Sequence, residues 1–184
     1  VLIDEDDRRN DLEWQMEWVS RGYVVVRPDL RGWGETSPRE EWSDWEGWAQ
    51  NRFSGAHYRL YALARLAGRD LVLDRARDLT ALLEIVAQRA PTLETCLWGR
   101  RQGALPALYA ALANERVKHL TLESYLRSYR DLMDSDPPLW RGEGQVENIL
   151  RDGYDIPDLL KMFPGRLELK NPLDGLLRPV TTEP

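Results

Sequence analysis

Two glycines four residues apart frame the stretch with the most chemical promise, Gly99-Arg100-Arg101-Gln102-Gly103. A segment that reads as a strand, Leu93–Trp98, precedes it, and an Ala- and Leu-rich segment, Gly103–Ala113, follows. A strand, a tight glycine turn and a helix in that order lift the central side chain onto a sharp corner. A serine in that place becomes a nucleophile for acyl transfer. The central residue here is Arg101, whose guanidinium stays protonated and has no lone pair with which to attack a carbonyl. Its chemistry is anion binding, with Arg100 beside it, or an internal salt bridge.

The remaining reactive side chains are scattered. Ser37, Ser54, Ser124 and Ser128 lie in other loops, with no such turn around any of them. His119 falls inside an expected strand and reads as structural; His57 lies in a Trp-rich stretch and reads as a surface residue. Cys96 is the single cysteine, which excludes an internal disulfide, and it reads as a small buried hydrophobe. Asp4-Glu5-Asp6-Asp7 offers oxygens of the kind that suit Ca²⁺ or Mg²⁺, but its spacing matches no known loop. A solvated acidic loop is the expectation there, and no metal or other cofactor is called for.

Composition bounds the class. With 184 residues, 42% hydrophobic and 30% charged, the chain has enough apolar content for one globular domain. No run of eighteen apolar residues occurs, so no membrane span is expected. A net charge of −6 argues against nucleic-acid binding, which needs a basic face. The chain opens on an apolar VLID with no leader-like pattern; it reads as a piece of a longer protein, and this end carries no sign of localisation.

The elements that must position these residues follow from periodicity. Val1–Asp4 reads as a short strand. Leu12–Arg21 reads as a helix with Leu12, Met16 and Val19 on its core stripe, closed by Gly22. Tyr23–Val26 is a β-branched run without alternation, as in a strand buried on both faces. Residues 37–61 hold Trp42, Trp45 and Trp48 and fit neither period, so they read as an insertion. Asp70–Arg89 is a long amphipathic helix with Leu73, Ala76, Leu79, Leu83 and Val86 at helical spacing. Val117–Leu122 and Arg166–Leu169 complete five strands, and Ile156–Met162 is a short helix between them. Strands alternating with helices predict an α/β, three-layer αβα fold with a mostly parallel sheet. Its site belongs at the carboxyl ends of the strands.

Three motifs in this order resemble the α/β-hydrolase superfamily: GYVVVRPDLRGWGET, LWGRRQGALPALYAA and YDIPDLLKMFPGRLELKNPLDG. The last resembles the acetylxylan-esterase-like branch, whose members often read D-x-P-D-L and end a strand in N-P-x-D. The resemblance implies a partial α/β-hydrolase fold with about five of eight strands. It places Arg101 at the nucleophile position, Gln102 at a backbone oxyanion position and Asp174 at the triad acid, with Glu123 as the acid of relatives that place it one strand earlier. The histidine would fall beyond this sequence. Asp29 and Arg31 read as a brace for the DLRGWG loop. The acidic loop after the first strand would oppose an oxyanion by charge.

Three functions remain open at this stage. One is a hydrolase fold degenerate at its elbow. Another is an active carboxylic-ester hydrolase with a displaced nucleophile. The third is a module binding an anion or carbohydrate through Arg100, Arg101, Trp45 and Trp48, although the tryptophans also suit a lid, an interface or packing of the insertion. The partners implied are a small-molecule ester, a carbohydrate or an anionic ligand, and a segment or second copy covering the sheet edges.

Overall fold

The computed structural model describes residues 1–3, 12–37, 56–135, 140 and 142–180. Four parallel strands form one sheet in the order β1 (Leu2–Ile3), β2 (Thr95–Arg100), β3 (Val117–Glu123) and β4 (Arg166–Lys170). Among the described residues six α-helices accompany them: α1 (Leu12–Ser20), α2 (Ala56–Leu66), α3 (Leu71–Arg89), α4 (Ala104–Ala113), α5 (Arg130–Met133) and α6 (Ile156–Met162). The chain is therefore an α/β fold with a parallel sheet, as expected.

Side chains of β2 and β3 alternate between two environments. Leu97, Leu120 and Leu122 are buried with Ala104, Leu105, Ala107 and Leu108 of α4 and with Val72, Leu79 and Leu83 of α3. Full burial of each such leucine contributes about 1.5–3 kcal/mol. Ala76, Leu79 and Leu83 of the expected α3 stripe are buried and Leu73 packs at the margin of that core, while Val86 lies outside it. Pro106 is tolerated because it sits in the first turn of α4, where amides have no intrahelical partner.

Two expectations are corrected. Leu12, Met16 and Val19 of α1 are 62%, 59% and 49% exposed rather than buried. The helix packs instead through Trp14 and Trp18, whose rings stand 5.1 Å and 5.5 Å from that of Trp98 on the opposite sheet face. Two indoles cover more apolar area than the aliphatic stripe, so they decide which side faces the sheet. Tyr23–Val26 is not a strand of the sheet, which leaves four strands among the described residues where five were expected. Its bond to the sheet is Leu2 N–H to the Val26 carbonyl at 2.9 Å. Val24 stays 70% exposed, unlike a residue of a strand buried on both faces.

The DLRGWG loop is seated on α3. Arg31 reaches past its own loop to Asp78, with Nε at 2.7 Å, and to Asp74 at 3.4 Å. Buried Arg75 stacks its guanidinium 4.1 Å from the Trp33 ring and donates to the Arg31 carbonyl. Asp29 accepts the Glu35 amide, and a Cβ on Gly34 would lie 2.2 Å from the Asp29 carboxylate. The brace expected of Asp29 and Arg31 is present, but Arg31 braces the loop against a helix.

Candidate functional site

β2 runs through Gly99 and Arg100, turns at Arg101–Gly103 and enters α4. Arg101 has φ +47°, a left-handed conformation that costs a non-glycine residue about 1 kcal/mol or more. The turn closes because its glycines have no side chains. A Cβ on Gly99 would stand 2.7 Å from the Ala104 Cα, and one on Gly103 would stand 2.2 Å from the Ile3 carbonyl oxygen. The two glycines let α4 press onto β2 and β1, and the strained corner carries the Arg101 side chain into solvent.

Its neighbours are polar. Arg100 Nε lies 3.9 Å from the Glu123 carboxylate, which also accepts Trp98 Nε1–H at 3.0 Å. Lys170 stands 4.4 Å over the Trp98 ring and pairs with Glu168 at 3.3 Å. Gln102 is buried, and its Oε1 has no hydrogen bond.

The other expected residues are placed as follows. Asp174 accepts the amides of Leu176 at 2.8 Å and Arg178 at 2.9 Å, and Arg178 Nε at 2.7 Å. The Arg178 amide, then its guanidinium and the Leu176 amide, hold this carboxyl below the usual carboxylate range. Asp174 is therefore occupied in closing the turn after β4. His119 lies on β3, 3.9 Å from Glu94. His57 falls in α2 by its main chain, and its side chain is outside what the structure describes. Ser128 donates to Asp155 and accepts the Arg130 amide, so it is a structural hydroxyl. Cys96 is half-buried, and burial pushes its thiol up. Trp45, Trp48 and the acidic loop at 4–7 lie outside the described residues. Among the described residues no three His, Cys, Asp or Glu side chains gather as a metal site.

The D-x-P-D motif has a local cause. Asp155 caps α6, its carboxylate accepting the Ile156 amide at 2.7 Å while Asp158 reaches back to the Asp155 amide at 3.1 Å. The same Asp155 carboxylate takes the Tyr129 amide at 2.8 Å. Tyr129 meets Tyr109 hydroxyl to hydroxyl at 3.3 Å, and burial pushes Tyr109 up to about 12. Asp155 and the two tyrosines hold α4, α5 and α6 together, and burial keeps both phenols protonated at neutral pH.

What sequence reasoning missed is an alignment. Arg100, Glu123 and Lys170 are register partners across β2, β3 and β4. The next residue on each strand, Arg101, Ser124 and Asn171, has φ of +47°, +50° and +48°. Asn171 was the only one whose type hinted at that conformation.

A groove of about 830 Å³ opens at the amino edge of the sheet, beside Thr95, His119 and Arg166, and along the Tyr23–Val26 segment. Its lining includes no residue of the 99–103 turn. No described helix is long and apolar enough to cross a membrane. Comparison with protein-family models, with curated proteins and with solved structures finds no match for this chain.

Proposed function

We propose that this chain is an α/β-hydrolase-like scaffold, similar in its motifs to acetylxylan esterases, whose nucleophile elbow carries an arginine and which does not hydrolyse esters. The observation that carries the reading is the turn itself. Arg101 sits at φ +47° between a buried strand and a helix, with both framing glycines required by close approach. That is the corner which, with serine, presents a nucleophile. Arginine retains the strain and cannot do the chemistry. The other parts of a triad do not converge among the described residues, since Asp174 is held by Arg178 and Ser128 by Asp155.

The test is fluorophosphonate labelling read by intact mass, with p-nitrophenyl acetate turnover measured in parallel. No adduct and no turnover above the buffer rate are expected, from the parent and from Arg101→Ser alike, because a serine without a positioned base stays a weak nucleophile. A covalent adduct on the parent would establish an active ester hydrolase with a displaced serine. Clear turnover by Arg101→Ser would show that a base is present and that the account of the site is wrong.

A further inference from the structure

The groove at the amino edge of the sheet has a floor that strand register lays out. Cys96, His119 and Arg166 are partners across β2, β3 and β4, and Trp98, Thr121 and Glu168 form the next row. All six line the groove. Adjacent strands lie about 4.8 Å apart, so each row crosses the floor in roughly 10 Å. Over that distance the side chains change from apolar on β2 to charged on β4.

The walls beside β2 continue the apolar end, with Trp14 and Trp18 from α1, Ile85 and Val86 from α3, and Val24 and Leu93. Val24, Ile85 and Leu93 are each half or more exposed. Exposed apolar side chains gathered around one concavity mark a binding groove, whereas scattered ones do not. At about 830 Å³ the groove falls within the roughly 300–1,000 Å³ of small-molecule sites.

The polar end selects the ligand. The charged side chains lining the groove are Arg89, Arg166, Glu94 and Glu168, so their formal charges cancel and local pairing decides. Glu94 faces His119 at 3.9 Å. Glu168 accepts the Thr121 hydroxyl at 3.2 Å and pairs with Lys170 at 3.3 Å. The side chains of Arg89 and Arg166 have no ion pair or hydrogen bond among the described residues. Both acids are therefore engaged, while both guanidiniums keep a donor fork suited to a planar anion.

We propose that this groove binds a fatty carboxylate, its alkyl chain against the β2 end and its carboxylate on Arg166. The proposal is independent of the reading of the elbow, none of whose residues lines the groove.

Sodium octanoate is the probe, titrated by calorimetry, with butanoate, octanol and octylammonium chloride as comparisons and sedimentation velocity in parallel. Octanoate is expected to bind saturably. Each methylene removed should weaken binding about fourfold, so butanoate should bind at least about a hundredfold more weakly. Octanol and octylammonium should bind about tenfold or more weakly than octanoate, because neither has an anionic head. Arg166→Gln should weaken octanoate about tenfold and leave octanol unchanged. Val24→Asp should weaken both, by placing a charge in the apolar wall. Both positions are exposed, so the fold accommodates the changes, and unchanged melting temperatures check this. Octanol binding as tightly as octanoate, an affinity indifferent to chain length, or Arg166→Gln binding octanoate as the parent does would each overturn the proposal. So would a chain that sediments as a dimer until Val24→Asp separates it, which would give the groove to a second copy.

Discussion

Gly103→Ala probes the contact on which the elbow depends. The backbone there, φ −73° and ψ −17°, is helical, so alanine is conformationally welcome. In open space the change would stabilise by about 0.4–1 kcal/mol through the unfolded chain. Here the new Cβ would lie 2.2 Å from the Ile3 carbonyl oxygen, 2.7 Å from the Ile3 carbonyl carbon and 3.0 Å from its Cγ2. Two of these atoms are main chain, and trimming Ile3 cannot move them. Overpacking of this kind costs about 1–3 kcal/mol and at times more. A contact this short belongs at the top of that range, so the net loss is about 2–3 kcal/mol. For a chain of 184 residues that lowers the melting temperature by about 4–12 °C. Thermal unfolding followed by circular dichroism, with urea titration as a second measure, reads it. Ile3→Ala added to Gly103→Ala should not restore stability. A Gly103→Ala variant as stable as the parent would mean that β1 does not press on the start of α4, and the close-packed elbow would be refuted.

Three further outcomes follow from the same structure. Arg101→Gly should be more stable than Arg101→Ala by about 1 kcal/mol, because the comparison removes the side chain from both and leaves only the cost of φ +47°; equal melting temperatures would say that the corner is unstrained. Asp74 is buried, and burial alone would raise its carboxyl, but hydrogen bonds from Arg69 and Arg77 and the charge of Arg31 outweigh this and hold it low. A depressed carboxyl adds stability above its unfolded value of about 3.9 and loses it as the pH falls through its folded value. Asp74→Asn should therefore cost about 2 kcal/mol at neutral pH and flatten the acid limb of the stability curve, and an unchanged acid limb would remove Asp74 from that role. Trp98→Ala should release α1, which has no buried residue of its own, so its amides should exchange at least about tenfold faster while those of α4 keep their protection. Uniform loss of protection would show that Trp98 supports the whole sheet.

Local periodicity and turn chemistry were enough to read much of this molecule from its residues. The apolar spacing of α3, the strand–turn–helix around Arg101, and the capping of α6 by Asp155 and Asp158 are short-range patterns, in which each residue's role depends on neighbours a few positions away. The incapacity of Arg101 as a nucleophile is a property of the guanidinium and needs no coordinates. Packing between distant segments decided the rest. Which side of α1 faces the sheet depended on Trp98, some eighty residues along. The turn that commits Asp174 to Arg178 is itself docked on a distant segment, with Leu173 N–H bonded to the Tyr125 carbonyl and Arg127 N–H to the Leu173 carbonyl. The line of Arg101, Ser124 and Asn171 exists only because β2, β3 and β4 pair in one register, and register between segments tens of residues apart is set by the core they bury together.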